Sequence, residues 1–129
     1  MSEITIEILH SISDDERAQI ASLVAQLSSK EVVPARFDEV VQSTESQLFA
    51  ARRNGRIVGV LVLAHYPTLT GRKAWIEDVV VDASQRGAGI GRALVERAIT
   101  EAQACGAATL DLTSNPSREA AHRLYRACG

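Results

Sequence analysis

Three glycines at alternate positions, Gly87, Gly89 and Gly91, follow an apolar run and precede a helical pattern in the stretch from Trp75 to Cys105, WIEDVVVDASQRGAGIGRALVERAITEAQAC. Glycine accepts positive φ and lets a ligand approach the main chain without a Cβ in the way. A strand that feeds such a loop into a helix gathers free backbone N–H groups and the positive end of the helix dipole, which together favour an anion, most simply a phosphate. Two phosphate-loop patterns fail the spacing. A Walker loop closes on Gly-Lys-Ser/Thr, whereas Gly91 is followed by Arg92; G-x-G-x-x-G lacks its last glycine from either Gly87 or Gly89. What is present is R-x-x-G-x-G, as Arg86-Gly87-Ala88-Gly89-Ile90-Gly91. The strand before it carries two carboxylates, Glu77 and Asp78, in its apolar middle. A carboxylate is costly to bury for packing alone, and desolvation raises its pKa. On an extended strand the two point to opposite faces unless a bulge intervenes, so Asp78 is read as structural.

The elements that must position these residues follow from periodicity. Ile4, Ile6 and Ile8 alternate with polar residues as a half-buried strand. Ser13 can cap a helix with Asp14, Asp15 and Glu16 in its first turn and Ile20, Leu23, Val24 and Leu27 on one face. The pattern breaks at Pro34, and a second helix is expected from about Ala35 with Phe37, Val40, Val41 and Thr44 inward. Gln47 to Arg53 and Arg56 to His65 read as strands joined by Asn54-Gly55, the sequence of a type I′ turn. The second of them is apolar on both faces and belongs inside the sheet, with Pro67 ending it. Thr70-Gly71-Arg72 is turn chemistry before a strand from Lys73 to Val81. The helix opened by the glycine loop turns Ile90, Leu94, Val95, Ala98, Ile99 and Ala102 inward and ends near Gly106. A strand from Ala108 to Thr113 and a helix from about Arg118 complete the order β-α-α-β-β-β-α-β-α, an antiparallel meander joined to one parallel βαβ crossover.

At 129 residues the chain is one domain, residues 1–129. A net charge of −2 recommends neither nucleic acid nor an anionic membrane as partner. Cys105 and Cys128 are too few for a disulfide framework or a zinc site, so no metal is expected, and both read as small buried hydrophobes. The N-terminus MSEITIEILH lacks the pattern of a secretion signal, and no apolar run reaches the ~20 residues of a membrane span, which implies a cytoplasmic protein.

With the glycine loop between the fourth strand and the third helix, the chain resembles the GNAT-type N-acetyltransferases, whose acyl-CoA pyrophosphate loop has the R-x-x-G-x-G form. IEDVVVD at Ile76 to Asp82 is similar to the family's fourth strand, and N-x9-Y at Asn115 to Tyr125, followed by Gly129, to its fifth-strand exit and last helix. The resemblance is specific from Trp75 onward; the N-terminal half agrees in element order. It implies a three-layer α/β (α+β) fold with a mixed central sheet. Relatives usually continue with one or two more strands, so these C-terminal strands are expected to be missing, through truncation or through completion by a second subunit in a homodimer.

The resemblance also implies roles. Acetyl-CoA would be co-substrate, its pyrophosphate on the N–H groups from Arg86 to Arg92 and its pantetheine arm along the backbone of Val79, Val80 and Val81. Arg86 and Arg92 would add charge-assisted contacts to the phosphates. Glu77 would be the general base that takes the proton of an amine, and Tyr125 the general acid for the departing thiolate. Asn115 would hydrogen-bond the cofactor's amides or a water, and a strand N–H near Val80 would hold the carbonyl oxygen. His65 and His122 have no paired carboxylate in the sequence and are not read as bases. The acceptor is expected to be a primary amine of a small molecule, less readily of a peptide or protein, and Arg72 and Lys73 suggest one with an acidic group. The alternatives are a module that binds or senses acetyl-CoA without turnover and a nucleotide-binding protein unrelated to CoA.

Overall fold

The alternate isoleucines of ITIEIL form β1 (Ile4–Leu9), half-buried while Thr5 and Glu7 face solvent, in a computed structural model that describes residues 3–27, 34–85 and 87–112. Ser13 starts α1 (Asp14–Leu27) through a reciprocal cap, the Glu16 N–H donating to Ser13 Oγ (3.1 Å) and the Ser13 N–H to Glu16 Oε1 (2.8 Å). The Glu16 carboxylate also pairs with Arg52. These partners, the backbone bond from Ser13 foremost, hold it below the usual carboxylate range. The second helix, α2 (Pro34–Gln42), begins one residue earlier than the sequence suggested, because proline's fixed φ and missing N–H cost nothing at a first helical position. Phe37 is its buried anchor, whereas Thr44 lies past the helix end and is exposed, so the inner stripe is one residue shorter than expected. Arg17 ties α1 to α2 through Asp38 (2.7 Å).

The next strands are β2 (Ser46–Arg53), β3 (Arg56–Thr68) and β4 (Gly71–Val81). Asn54 (φ 56°) and Gly55 (φ 76°) both take the positive φ a type I′ turn requires. Pro67 does not end β3. It pairs with Arg72 beside the exposed two-residue turn at Leu69 and Thr70, where a missing N–H costs little, and Thr68 Oγ1 closes the turn on Gly71 O (2.7 Å). A 3₁₀ turn (Ala83–Gln85) leads to the glycines, α3 (Ile90–Ala104) and β5 (Ala107–Leu112). The final helix expected from about Arg118 lies outside the described residues.

The five strands form one sheet in the order β1-β2-β3-β4-β5, antiparallel through β4, with β5 parallel to β4 after the α3 crossover. Central β3 is apolar on both faces because both are covered. Val58, Leu61 and Leu63 join a core with Leu94, Val95 and Ala98 of α3. Ile57 and Val60 join one with Ile20 and Leu23 of α1 and Phe37 of α2. Gly59 seats α3 closely: a Cβ there would lie 3.1 Å from both Ile90 Cγ2 and Leu94 Cδ1. No helix among the described residues is long and apolar enough to cross a membrane.

Candidate active site

β4 is regular from Gly71 to Glu77 and then gains a residue. Glu77 pairs with Val62 and Val80 with Val60, so Leu61 alone stands opposite both Asp78 and Val79. Asp78 takes φ 50° in this bulge, a left-handed conformation uncommon outside glycine. The bulge reverses the alternation. Before it, Ala74 and Ile76 enter the α3-side core, so Trp75 and Glu77 face the α1/α2 side. After it, Val79 and Val81 pack on the α3 side while Val80 joins the α1/α2 core. Asp78 is therefore an exposed bulge residue and not the opposite-facing residue of an extended strand; Glu77 is half-buried on the α1/α2 face.

The loop that follows is anchored before it reaches the glycines. The Asp82 N–H donates to Val58 O (2.9 Å), the Ala83 N–H to Gln26 Oε1 of α1 (3.0 Å), and Arg53 Nη1 to Gln85 Oε1 (3.0 Å). The Asp82 carboxylate accepts the Ser84 N–H (3.1 Å), which lowers its pKa. Gly87 (φ 88°) and Gly89 (φ 79°) then take the left-handed region, and the space where their Cβ atoms would stand is open. Gly89 caps α3 with no side-chain acceptor, leaving first-turn N–H groups to whatever lies in that space. Buried Ile90 fixes the turn against the core. Gly91, expected to share the positive φ, is instead ordinary helix, and a Cβ there would meet Val81 Cγ2 at 3.7 Å. Uncapped first-turn N–H groups with open space before them suit an anion such as phosphate.

The candidate residues are thus partly brought together. Glu77, the backbone of Val79, Val80 and Val81, and the loop of Gly87, Ala88, Gly89, Ile90 and Gly91 are consecutive parts of one strand, turn and helix start. Arg92 is exposed on α3 and pairs with Glu96 (2.8 Å). Arg86, Asn115 and Tyr125 lie outside the described residues. Two features were missed. The hairpin brings Arg53 and Arg56 to a hollow of about 560 Å³ shared with Ser84 and Gln85, placing positive charge beside the loop; their pairing across Asn54-Gly55 was the available signal. Trp75 stands two residues before Glu77 on the same face, and its Nε1–H donates to Tyr66 Oη (3.0 Å); the two-residue period could have found it. Finally, Arg72 and Lys73 part company, since Arg72 turns to the α3 side and bonds His65 Nδ1 (2.9 Å).

His65 is only 7% exposed and lies toward the C-terminal end of α3, with its Nε2 3.9 Å from Cys105 Sγ. Burial first, and the Arg72 charge second, lower its pKa. It sits at the opposite end of the α3 crossover from the glycine loop. Cys105, expected to be a buried hydrophobe, is half-buried among polar groups, and burial followed by the Glu101 charge raises its thiol pKa. Cys128 lies outside the described residues.

A sequence profile of the acetyltransferase (GNAT) family matches residues 9–129. A glucosamine 6-phosphate N-acetyltransferase of Trypanosoma brucei brucei is 49% identical over 53 residues, a stretch that spans 39% of this chain and 36% of that relative. Among solved structures, a transcriptional regulator from Bacillus halodurans C-125 superposes with a TM-score of 0.85 at 28% identity, over 98% of this chain and 92% of its own. A glucosamine-6-phosphate N-acetyltransferase from Arabidopsis thaliana shares the fold with a TM-score of 0.83 at 24% identity, over 98% of this chain and 90% of its own.

Proposed function

We propose, because this chain belongs to the acetyltransferase (GNAT) family, that it moves the acetyl group of acetyl-CoA directly onto a primary amine of a small molecule. The observation that carries this reading is the uncapped start of α3 behind two left-handed glycines with open space at their Cα atoms. Those N–H groups would hold the diphosphate, Arg86 and Arg92 would add charge-assisted contacts to it, and the backbone of Val79, Val80 and Val81 would run along the pantetheine. When bound, acetyl-CoA supplies the activated carbonyl.

An alkylamine has a pKa of roughly 10, so only about 0.1% is neutral at pH 7, and a base is needed. Glu77 accepts the amine proton from its half-buried position on the α1/α2 face of β4. The backbone N–H near Val80 stabilises the carbonyl oxygen as negative charge gathers there. Tyr125 returns a proton to the sulfur as the C–S bond breaks, and Asn115 holds the amide groups of the pantetheine or a water. Two of the similar proteins are glucosamine 6-phosphate N-acetyltransferases, which makes glucosamine 6-phosphate the first acceptor to try.

The test is thiol release from acetyl-CoA across a panel of primary amines, with Glu77→Gln alongside. Amine-dependent release is expected, and Glu77→Gln should lower it by roughly 10²-fold near neutral pH with acetyl-CoA affinity unchanged. Acetyl-CoA binding with no release for any amine would favour a binding module. Lost acetyl-CoA binding in Glu77→Gln would make that residue structural.

A further inference from the structure

Resting on the acetyl-transfer reading above, we infer that the row Glu77, Trp75 and Lys73 on one face of β4 is the acceptor track, and that it selects a primary amine carried on a ring or short apolar body with an anionic group at its far end. Ala74 and Ile76 are fully buried on the α3 side, so the three odd-numbered residues between Gly71 and the bulge share the other face. At about 3.3 Å per residue they stand ~7 Å apart, with ~13 Å from Glu77 to Lys73.

The neighbours of this row on β3 change along it. Val62, opposite Glu77, still packs against the core made with α1 and α2, but Ala64, opposite Trp75, and Tyr66, opposite Lys73, are outside that core. Ala64 is the small neighbour of the indole across the strand pair, and Trp75 and Tyr66 are both half-buried. Because Tyr66 Oη takes the indole N–H, the donor is satisfied and the ring is held; what it offers a ligand is its face, which suits a C–H surface or a cation. Lys73 is exposed and makes no ion pair among the described residues. Arg72, its neighbour, is on the opposite face with His65 and takes no part. A carboxylate, an aromatic face and an ammonium in that order fit an amine, a body and an anion, and the ammonium disfavours polyamines.

Trp75 is the chain's one tryptophan, so its emission reports on this face alone. The experiment uses the full chain with coenzyme A, two matched pairs of probes, glucosamine 6-phosphate with glucosamine and 6-aminohexanoate with hexylamine, and spermidine. Calorimetry with coenzyme A is run first, since no heat there would defeat the acetyl-transfer reading itself. With coenzyme A bound, an anionic probe should shift Trp75 emission at concentrations about 5-fold below its uncharged counterpart, the size of one solvent-exposed ion pair. Lys73→Met should remove that preference through KM and not kcat. Tyr66→Phe should move the resting emission and raise KM for every acceptor. The inference is overturned if the best acceptor is uncharged or a polyamine, if Lys73→Met leaves the preference intact, or if no probe moves the emission while coenzyme A binds.

Discussion

At the scale of single residues, His65 is a buried ionisable group that lies outside the candidate site. Arg72 donates to its Nδ1, which requires a neutral ring with the proton on Nε2, facing Cys105. Burial and the Arg72 charge lower its pKa against weaker opposition from Glu101 and Glu45. The unfolded chain, with an ordinary histidine near pH 6.5, therefore binds this proton more readily than the folded one. The contribution to stability is complete above about pH 6.5 and is lost as pH falls toward the folded value. Urea unfolding between pH 7 and pH 5 should show stability falling by at most about 1.4 kcal/mol per pH unit from this group. His65→Gln should flatten that slope, and an unchanged slope would show that the ring's protonation is not coupled to folding. Nothing in the spacing of residues marks this pairing, because Arg72 and His65 meet only through the β3–β4 register and the sharing of one face.

At the scale of elements, the strand, loop and helix start act as one unit, yet their glycines are not equivalent. Gly89 caps α3 at φ 79°, and Gly91 is two residues inside it with ordinary helical backbone. Gly89→Ala should cost roughly 1–2 kcal/mol, since a Cβ disfavours the left-handed region. Gly91→Ala should be neutral or gain up to ~1 kcal/mol, because alanine is the better helix former and its Cβ meets Val81 at an ordinary distance. Urea midpoints of the two variants decide it, and equal losses would mean that loop conformation does not separate them. Periodicity located every described strand and α-helix but not the 3₁₀ turn at Ala83–Gln85, and the Asn54-Gly55 turn was readable because its chemistry is local. The bulge at Asp78 was not, since an extra residue in one strand is defined by its partner's register, which no single strand encodes.

At the scale of the whole molecule, two apolar layers clamp one sheet, and the candidate site lies where β4 leaves the crossover toward α3. A ligand that binds only the folded chain stabilises all of it. Acetyl-CoA at a hundredfold excess over its Kd should add about 2.7 kcal/mol. For a chain of 129 residues that is a rise of roughly 10 °C in Tm. ATP or NAD at the same concentration should leave Tm unchanged, and protection by either in place of acetyl-CoA would point to a nucleotide site unrelated to CoA.

The sequence by itself determined the order of the described elements, the two-faced burial of β3, the glycine-opened helix and the family resemblance, because each depends on spacing along a few neighbouring residues. Only the tertiary structure decided which face Glu77 occupies with Trp75 and Lys73, that Arg72 turns away to His65, that Gly59 must admit α3, and that Arg53 and Arg56 flank the loop. Those outcomes depend on how strands pair and helices seat, and such contacts join residues far apart in the chain whose types carry no mark of one another.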